Sequence, residues 1–288
     1  MTDDAKDRIP PPPDPAADIV RRSGSNLAFA FSVLPREKRD DMGVLYAFCR
    51  VIDDIADEPG REAEERRRGL AHWRTFLERG CTGAREGLER ELAGIVDRYG
   101  LPPRLLLDIL DGVEMDLEPR HFDTALDLEK YCYHVASAVG LASIEIFGYT
   151  DTGTRAYAEQ LGYALQWTNI LRDVGEDAAE GRVYLPLEDI AASGLGGPEE
   201  ILGGSPDPHG FARLMQQETE RAENYYARAR EALAPCDRST MRSAELMRRI
   251  YSGILRRMEK DGWHVYEKRY RLSKPRMLGE FLRAKYLG

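Results

Sequence analysis

The chain is poor in the features that mark several large protein classes. Its four cysteines, Cys49, Cys81, Cys132 and Cys236, lie far apart, with no CxxC pair and no zinc-type spacing to histidine. That excludes a disulfide framework and a structural zinc site, and a reducing cytoplasm is the expected home. No uncharged stretch approaches the length that spans a bilayer, and no apolar run of signal-peptide type opens the chain. A soluble or membrane-peripheral protein is expected. Arginines are scattered rather than massed, and the net charge is −9 with a pI of about 5.3, which argues against a nucleic-acid partner. Alternating runs of Val, Ile and Thr are missing, which points to an all-α class. The middle of the 288 residues holds no linker-like stretch, so one domain over residues 18–288 is expected behind a polar tail, residues 1–17, with its run of prolines from Pro10 to Pro13.

What is present is helical punctuation and acid. Helical patterning runs from about Asp18 to Val33 and restarts at Leu34-Pro35-Arg36-Glu37, because proline is tolerated in a first turn. Pro59-Gly60, Gly80 to Gly83 and Gly100 to Pro103 separate further helices, and Arg61 to Arg68 reads as the exposed start of one of them. Leu105, Ile109, Gly112, Val113 and Asp116 recur at helical spacing. Asp108, Asp111 and Glu114 fall mostly on other faces and are expected to be solvated, while Asp116 could look inward. Glu129 to Phe147 is apolar nearly all round and rich in Ala, Ser and Gly, which suits either a pocket wall or tight helix packing. A helix starts near Thr154. Gly194 to Gly210 reads as a loop, Phe211 to Ala234 and Thr240 to Lys260 as helices. The closing segment from Trp263, basic and aromatic, reads as a solvated terminal helix or as a contact for anionic lipid.

Two segments carry the chemistry. In Tyr46-Ala-Phe-Cys-Arg-Val-Ile-Asp-Asp-Ile-Ala-Asp57, Asp53 and Asp57 stand one helical turn apart, with Arg50 a turn before. In Gln166-Trp-Thr-Asn-Ile-Leu-Arg-Asp-Val-Gly-Glu-Asp177, Asp173 and Asp177 repeat the spacing beside Arg172. Four-residue spacing puts each carboxylate pair on one helix face, where like charges repel unless a cation or water relieves them. A lone DxxxD usually marks a solvated face. Two on apolar helices, each with an arginine, suit Mg²⁺ held between hard oxygen ligands together with a substrate diphosphate. Arg50 and Arg172 could take phosphate oxygens the metal leaves free.

With both motifs placed, the chain resembles the squalene/phytoene synthase family, which joins two prenyl diphosphates head to head. The match rests on Leu34-Pro-Arg36, the two acidic segments, Tyr131-Cys-Tyr-His-Val-Ala136 with Val139-Gly140, and Gly181-Arg-Val-Tyr-Leu-Pro186, and it extends from about residue 20 to 275. It implies an isoprenoid-synthase helical bundle with a central cavity and the two acidic motifs facing each other across its mouth. Carried over by position, Asp53, Asp57, Asp173 and Asp177 correspond to the Mg²⁺ ligands, and Arg50 and Arg172 to diphosphate ligands. Tyr46, Tyr131, Gln166, Asn169 and Tyr251 correspond to polar residues at the reacting end, with Tyr46, Arg50, Tyr131, Arg172 and Tyr251 in catalytic roles. Leu27, Phe31, Val135, Ala136, Val139 and Gly140 correspond to the tunnel wall. One departure is Ser23-Gly-Ser-Asn-Leu27, where Asn26 and Leu27 replace a hydroxyl and an aromatic ring.

The resemblance implies farnesyl diphosphate as substrate and presqualene diphosphate as product, with squalene after a second ionisation. Coupling of two geranylgeranyl diphosphates to phytoene is the runner-up. NADPH would be needed only for a reductive ending, and no glycine-rich dinucleotide fingerprint is present, although the family's nicotinamide users lack one. A head-to-tail elongase or terpene cyclase would share the fold, and a non-catalytic assembly factor of the same fold would have lost acidic residues that are all retained here. His134 is expected to pack or to make a structural hydrogen bond.

Overall fold

The computed structural model describes residues 14–57 except 24–29, then 63–118, 120–273, 277 and 279–281. Leu27 and Asn26, the proline run, Pro59-Gly60 and the end of the closing segment lie outside the described residues. Among those described there are helices and connecting loops and no strand.

Helix α1 is Ala16–Ser23, and α2, Arg36–Ala56, starts after Pro35 as the sequence pattern predicts. Its buried stripe of Met42, Leu45, Phe48 and Ile52 faces the core and leaves Asp53 at the last turn, with Asp57 capping it by an N–H bond to the Asp53 carbonyl at 2.8 Å. Next come α3, Ala63–Glu78, α4, Leu88–Tyr99, and α5, Pro103–Met115. Gly100 ends α4 in the left-handed conformation (φ +59) that an L side chain adopts only with strain.

The apolar segment after Thr124 is not one continuous α-helix. It runs as α6, Ala125–Cys132, a π-helical turn over Tyr133–Ser137, and α7, Ala138–Phe147. Helix α8, Gly153–Ala179, crosses the core beside all three and packs along α11, Pro208–Ala232, and α12, Arg242–Lys260. Small residues permit these approaches. A Cβ on Gly162 would fall 2.4 Å from the Cα of Ser137, and one on Gly140 would fall 2.9 Å from the Ala158 carbonyl oxygen. The fully buried Trp167 donates to Glu218 at 2.8 Å, and Arg221 bonds both Glu218 and Asp189 of α9, Leu187–Ala192, tying α8, α9 and α11 together.

Three sequence expectations are corrected here. Asp108 is buried rather than solvated, and Asp111 and Glu114 are half-buried; Arg104 pairs with Asp108 at 2.7 Å, and Arg74 of α3 bridges Asp111 and Glu114 at 2.6 and 2.9 Å. Helix-surface charge patterning does not distinguish solvent from a facing guanidinium. The 194–210 stretch contains a short helix, α10, Pro198–Leu202, whose Ile201 is buried. Finally, of the closing segment Trp263 to Lys285, residues 263–273 form no helix but a strap that folds back on the bundle, with Val265 and Tyr270 buried and the Tyr266 hydroxyl bonded to the Ile201 carbonyl at 2.9 Å, whereas residues 277 and 279–281 are helical as expected.

Candidate active site

Five elements line a cavity of about 320 Å³. Helix α2 contributes Met42, Leu45, Tyr46, Cys49 and Asp53, and α12 contributes Ser243, Ala244, Met247 and Tyr251. The π turn and α7 contribute Val135, Ala136, Val139, Gly140 and Phe147. These positions keep the i, i+1, i+4, i+5 spacing of one helix face, so the π turn and α7 present a single continuous stripe to the cavity. Along α8 one stripe reads Tyr157, Ala158, Leu161, Gly162, Leu165, Gln166 and Asn169, apolar at one end and amide at the other. Continued by one turn and then another, that stripe reaches Asp173 and Asp177.

The acid sits at this polar end. Burial, and then the neighbouring Asp57 charge, pushes Asp53 up to about 7, although Arg50 opposes the shift. Asp177 is likewise raised to about 7, by burial first and Asp173 second, against the pull of Arg182. Asp116 stands between the motifs. It accepts hydrogen bonds from the Tyr131 hydroxyl at 3.0 Å and the Tyr184 hydroxyl at 3.4 Å, and it feels the charges of Asp57 and Arg182. Its outer side meets solvent, yet loss of hydration inside the mouth raises its pKa against those tyrosines and Arg182. The chain of charges Asp53, Asp57, Asp116, Arg182, Asp177 and Asp173 therefore links the two motifs around one opening.

The predicted residues divide as follows. Tyr46, Asp53, Gln166, Asn169, Tyr251, Phe31, Val135, Ala136, Val139 and Gly140 line the cavity together. Tyr131 does not. It is buried behind the mouth, stacked with Tyr184 at 5.5 Å between ring centroids, and its hydroxyl addresses Asp116. The two motif arginines are already paired: Arg50 with Asp54 at 2.5 Å, and Arg172 with Asp173 through two bonds of 2.8 and 2.5 Å. Arg172 also interacts with the Tyr251 hydroxyl. His134 bonds the Asp108 carbonyl at 3.0 Å through Nδ1, the structural role expected of it.

The sequence pattern assigns no role to Arg182 or Arg269, and Tyr184 enters it only as a flank of the second acidic motif that favours head-to-head coupling. Arg182 and Tyr184 lie inside the matched Gly181 to Pro186 segment, which was the available signal. Arg269 had none, because it reaches Asp173 at 3.1 Å and Glu176 at 2.8 Å only through the folded-back strap. The strap passes so close that a Cβ on Gly175, midway between the acidic pair, would meet the Val265 carbonyl oxygen at 2.4 Å.

A divalent cation fits these residues. The donors at the mouth are hard carboxylate oxygens, of which Asp53 and Asp177 are buried beside the like charges of Asp57 and Asp173, and the side-chain oxygen of Asn169, one turn before Asp173, is buried without a hydrogen-bond partner while its amide donates to Gln166 at 3.3 Å. The group Asp108, Asp111 and His134 also lies close enough to share an ion, but Arg104 and Arg74 already neutralise its carboxylates.

The family model described as squalene/phytoene synthase matches residues 20–277. The chain belongs to the squalene/phytoene synthase family. It is a prenyltransferase. A presqualene diphosphate synthase of Zymomonas mobilis is 34% identical over 273 residues, covering 94% of this chain and 93% of that one. A phytoene synthase of Mycobacterium tuberculosis is also 34% identical, over 88% of this chain and 84% of its own. Among solved structures, the squalene synthase HpnC of Alicyclobacillus acidocaldarius superposes with a TM-score of 0.77 at 26% identity, covering 86% of this chain and 93% of that one. A dehydrosqualene synthase in complex with ligand gives 0.78 at 27%, covering 94% of each chain. The family's all-α isoprenoid-synthase fold is thus the fold of this protein. No helix among the described residues is long and apolar enough to cross a membrane.

Proposed function

We propose that residues 18–288 act as one catalytic domain that couples two farnesyl diphosphates head to head into presqualene diphosphate. The observation that carries this reading is the polarity of a single cavity, apolar at one end and opening at the other onto two facing acidic motifs. The similarity to a presqualene diphosphate synthase over nearly the whole chain supports it.

In this reading Asp53, Asp57, Asp173 and Asp177, with the orphan oxygen of Asn169, hold Mg²⁺. Bound there, Mg²⁺ supplies Lewis-acid neutralisation of the diphosphate. Arg50 and Arg172 exchange their present carboxylate partners for phosphate oxygens, and so steady the charge that develops as the carbon–oxygen bond of one substrate breaks. The rings of Tyr46 and Tyr251, inside the cavity, face the allylic cation. Tyr131 acts at one remove, by holding Asp116. The apolar wall keeps water from quenching the cation before the double bond of the second chain attacks it. The released diphosphate takes the proton, since His134 is held by the Asp108 carbonyl.

Geranylgeranyl diphosphate coupling to phytoene is the second reading, favoured by the phytoene synthase relatives. Purified protein with Mg²⁺ and either substrate, with and without NADPH, separates the two by mass spectrometry. A C30 product supports the first reading and a C40 hydrocarbon replaces it with the second. Absence of turnover on both substrates sinks both. We also propose a peripheral membrane contact for product release. Arg256, Arg257, Lys260 and Arg271 are exposed where α12 runs on past Tyr251, a surface suited to anionic lipid. Failure to co-sediment with phosphatidylglycerol vesicles at low salt would remove that contact.

A further inference from the structure

The α8 stripe that begins at the carboxylates ends on a ring that is fixed in place. Tyr157 is fully buried, lines the apolar end of the cavity, and donates its hydroxyl to Glu245 Oε1 of α12 at 3.1 Å. Glu245 is itself clamped by Arg248 through three bonds of 2.9, 3.1 and 2.9 Å. Met42 and Phe147 also close this end but have no polar tether. Met42 can change rotamer at little cost. Tyr157 cannot swing aside without leaving its buried hydroxyl unpaired, at about 1–3 kcal/mol, whereas Glu245 stays held by Arg248.

We infer that Tyr157, positioned by Glu245 and Arg248, is the stop that sets the length of prenyl chain the cavity accepts. The inference rests on the reading of this cavity as a prenyl chamber. Between Asn169 at the polar end and Tyr157 at the other, the helix axis rises about 18 Å. An isoprene unit contributes four chain carbons, about 5 Å when extended at single-bond lengths near 1.5 Å. Three units, about 15 Å, fit above the Tyr157 ring; four units, about 20 Å, run into it. The stop therefore favours the C15 chain over the C20 chain. The discrimination is steric and does not depend on the metal.

The test is binding of unreactive farnesyl and geranylgeranyl thiolodiphosphates by isothermal titration calorimetry, alongside turnover of the natural diphosphates. Wild type is expected to prefer the C15 analogue, and Tyr157→Ala to reduce that preference by about tenfold or more, the scale on which a steric pocket discriminates added carbons. Tyr157→Phe, which keeps the ring and removes only its tether, should move the ratio the same way by less. Ala158→Leu, which fills the same end, should instead sharpen the preference for C15 and gives a reading if Tyr157→Ala does not fold. Equal C20-to-C15 affinity ratios in wild type, Tyr157→Phe and Ala158→Leu would overturn the assignment, as would a wild type that binds neither analogue. Retained discrimination without coupling turnover would instead sink the proposed reaction and leave the stop in place.

Discussion

Arg269 Nη2 donates to Asp173 Oδ2 at 3.1 Å, joining residues 96 positions apart. A guanidinium from the closing strap thus shares an acidic-motif carboxylate with Arg172, while its other nitrogen holds Glu176. These cations occupy negative charge that a divalent metal would use. Arg269→Gln should therefore tighten binding of Mg²⁺ alone by a few-fold, the size expected for one partly exposed charge pair. Calorimetric titration of metal into substrate-free protein measures it. Unchanged or weaker affinity would show that Arg269 does not compete for Asp173.

The mouth carboxylates are predicted to serve charge stabilisation at the expense of stability. Asp53→Asn and Asp173→Asn should each lower turnover by about a hundredfold or more, typical of removing a preorganised electrostatic element. Asp53→Asn should also raise the melting temperature of the metal-free protein, because it removes a half-buried charge surrounded by Asp57, Asp116 and Asp54. A variant that keeps wild-type turnover, or that melts lower, contradicts the placement of Asp53.

Two glycines are predicted to be irreplaceable for reasons of space. Gly162→Ala drives a methyl into the backbone of Ser137 in the π turn, and the fold should lose about 2–3 kcal/mol or fail to form. Gly175→Ala meets the Val265 carbonyl instead, so the strap should lift while the bundle persists. Trp263, which now donates to Thr219 at 3.2 Å, reports this by a red shift of its fluorescence. An unshifted spectrum in a folded Gly175→Ala protein would mean the strap is not held there.

Asp237 supplies a pH dependence away from the site. Burial by itself would raise its pKa, but hydrogen bonds from the Thr154 hydroxyl at 2.7 Å and the Asp151 and Thr150 amides at 3.0 and 2.8 Å outweigh it and hold the carboxyl below its ordinary 3.8. The lowered folded value makes its stabilisation complete above the unfolded pKa and lost as pH falls through the folded one. Urea unfolding should show wild type ahead of Asp237→Asn at pH 6, by about 1–3 kcal/mol for charge-assisted hydrogen bonds, with the gap narrowing below pH 4. A gap independent of pH would reject the ionised form.

Helix content, the order of the helices and the two carboxylate pairs were all legible in the chain itself, because a 3.6-residue period and a four-residue spacing are local properties. So was the choice of small residues between Glu129 and Phe147, and the structure shows that they serve both uses the composition allowed. Gly140 lines the cavity and also packs on the Ala158 carbonyl. What spacing does not contain is the identity of the facing group. Tyr131 matched a motif and yet stands behind the mouth holding Asp116, while Arg50 and Arg172 were read as free for phosphate and are occupied by Asp54 and Asp173. Arg269 carried no local signal at all. A side chain's partner depends on where a second element lies, and that is set by packing of the whole bundle. The sequence by itself determined which groups are available. The tertiary structure alone decided which of them meet, because electrostatic and hydrogen-bond energies depend on ångström distances between segments that are remote along the chain.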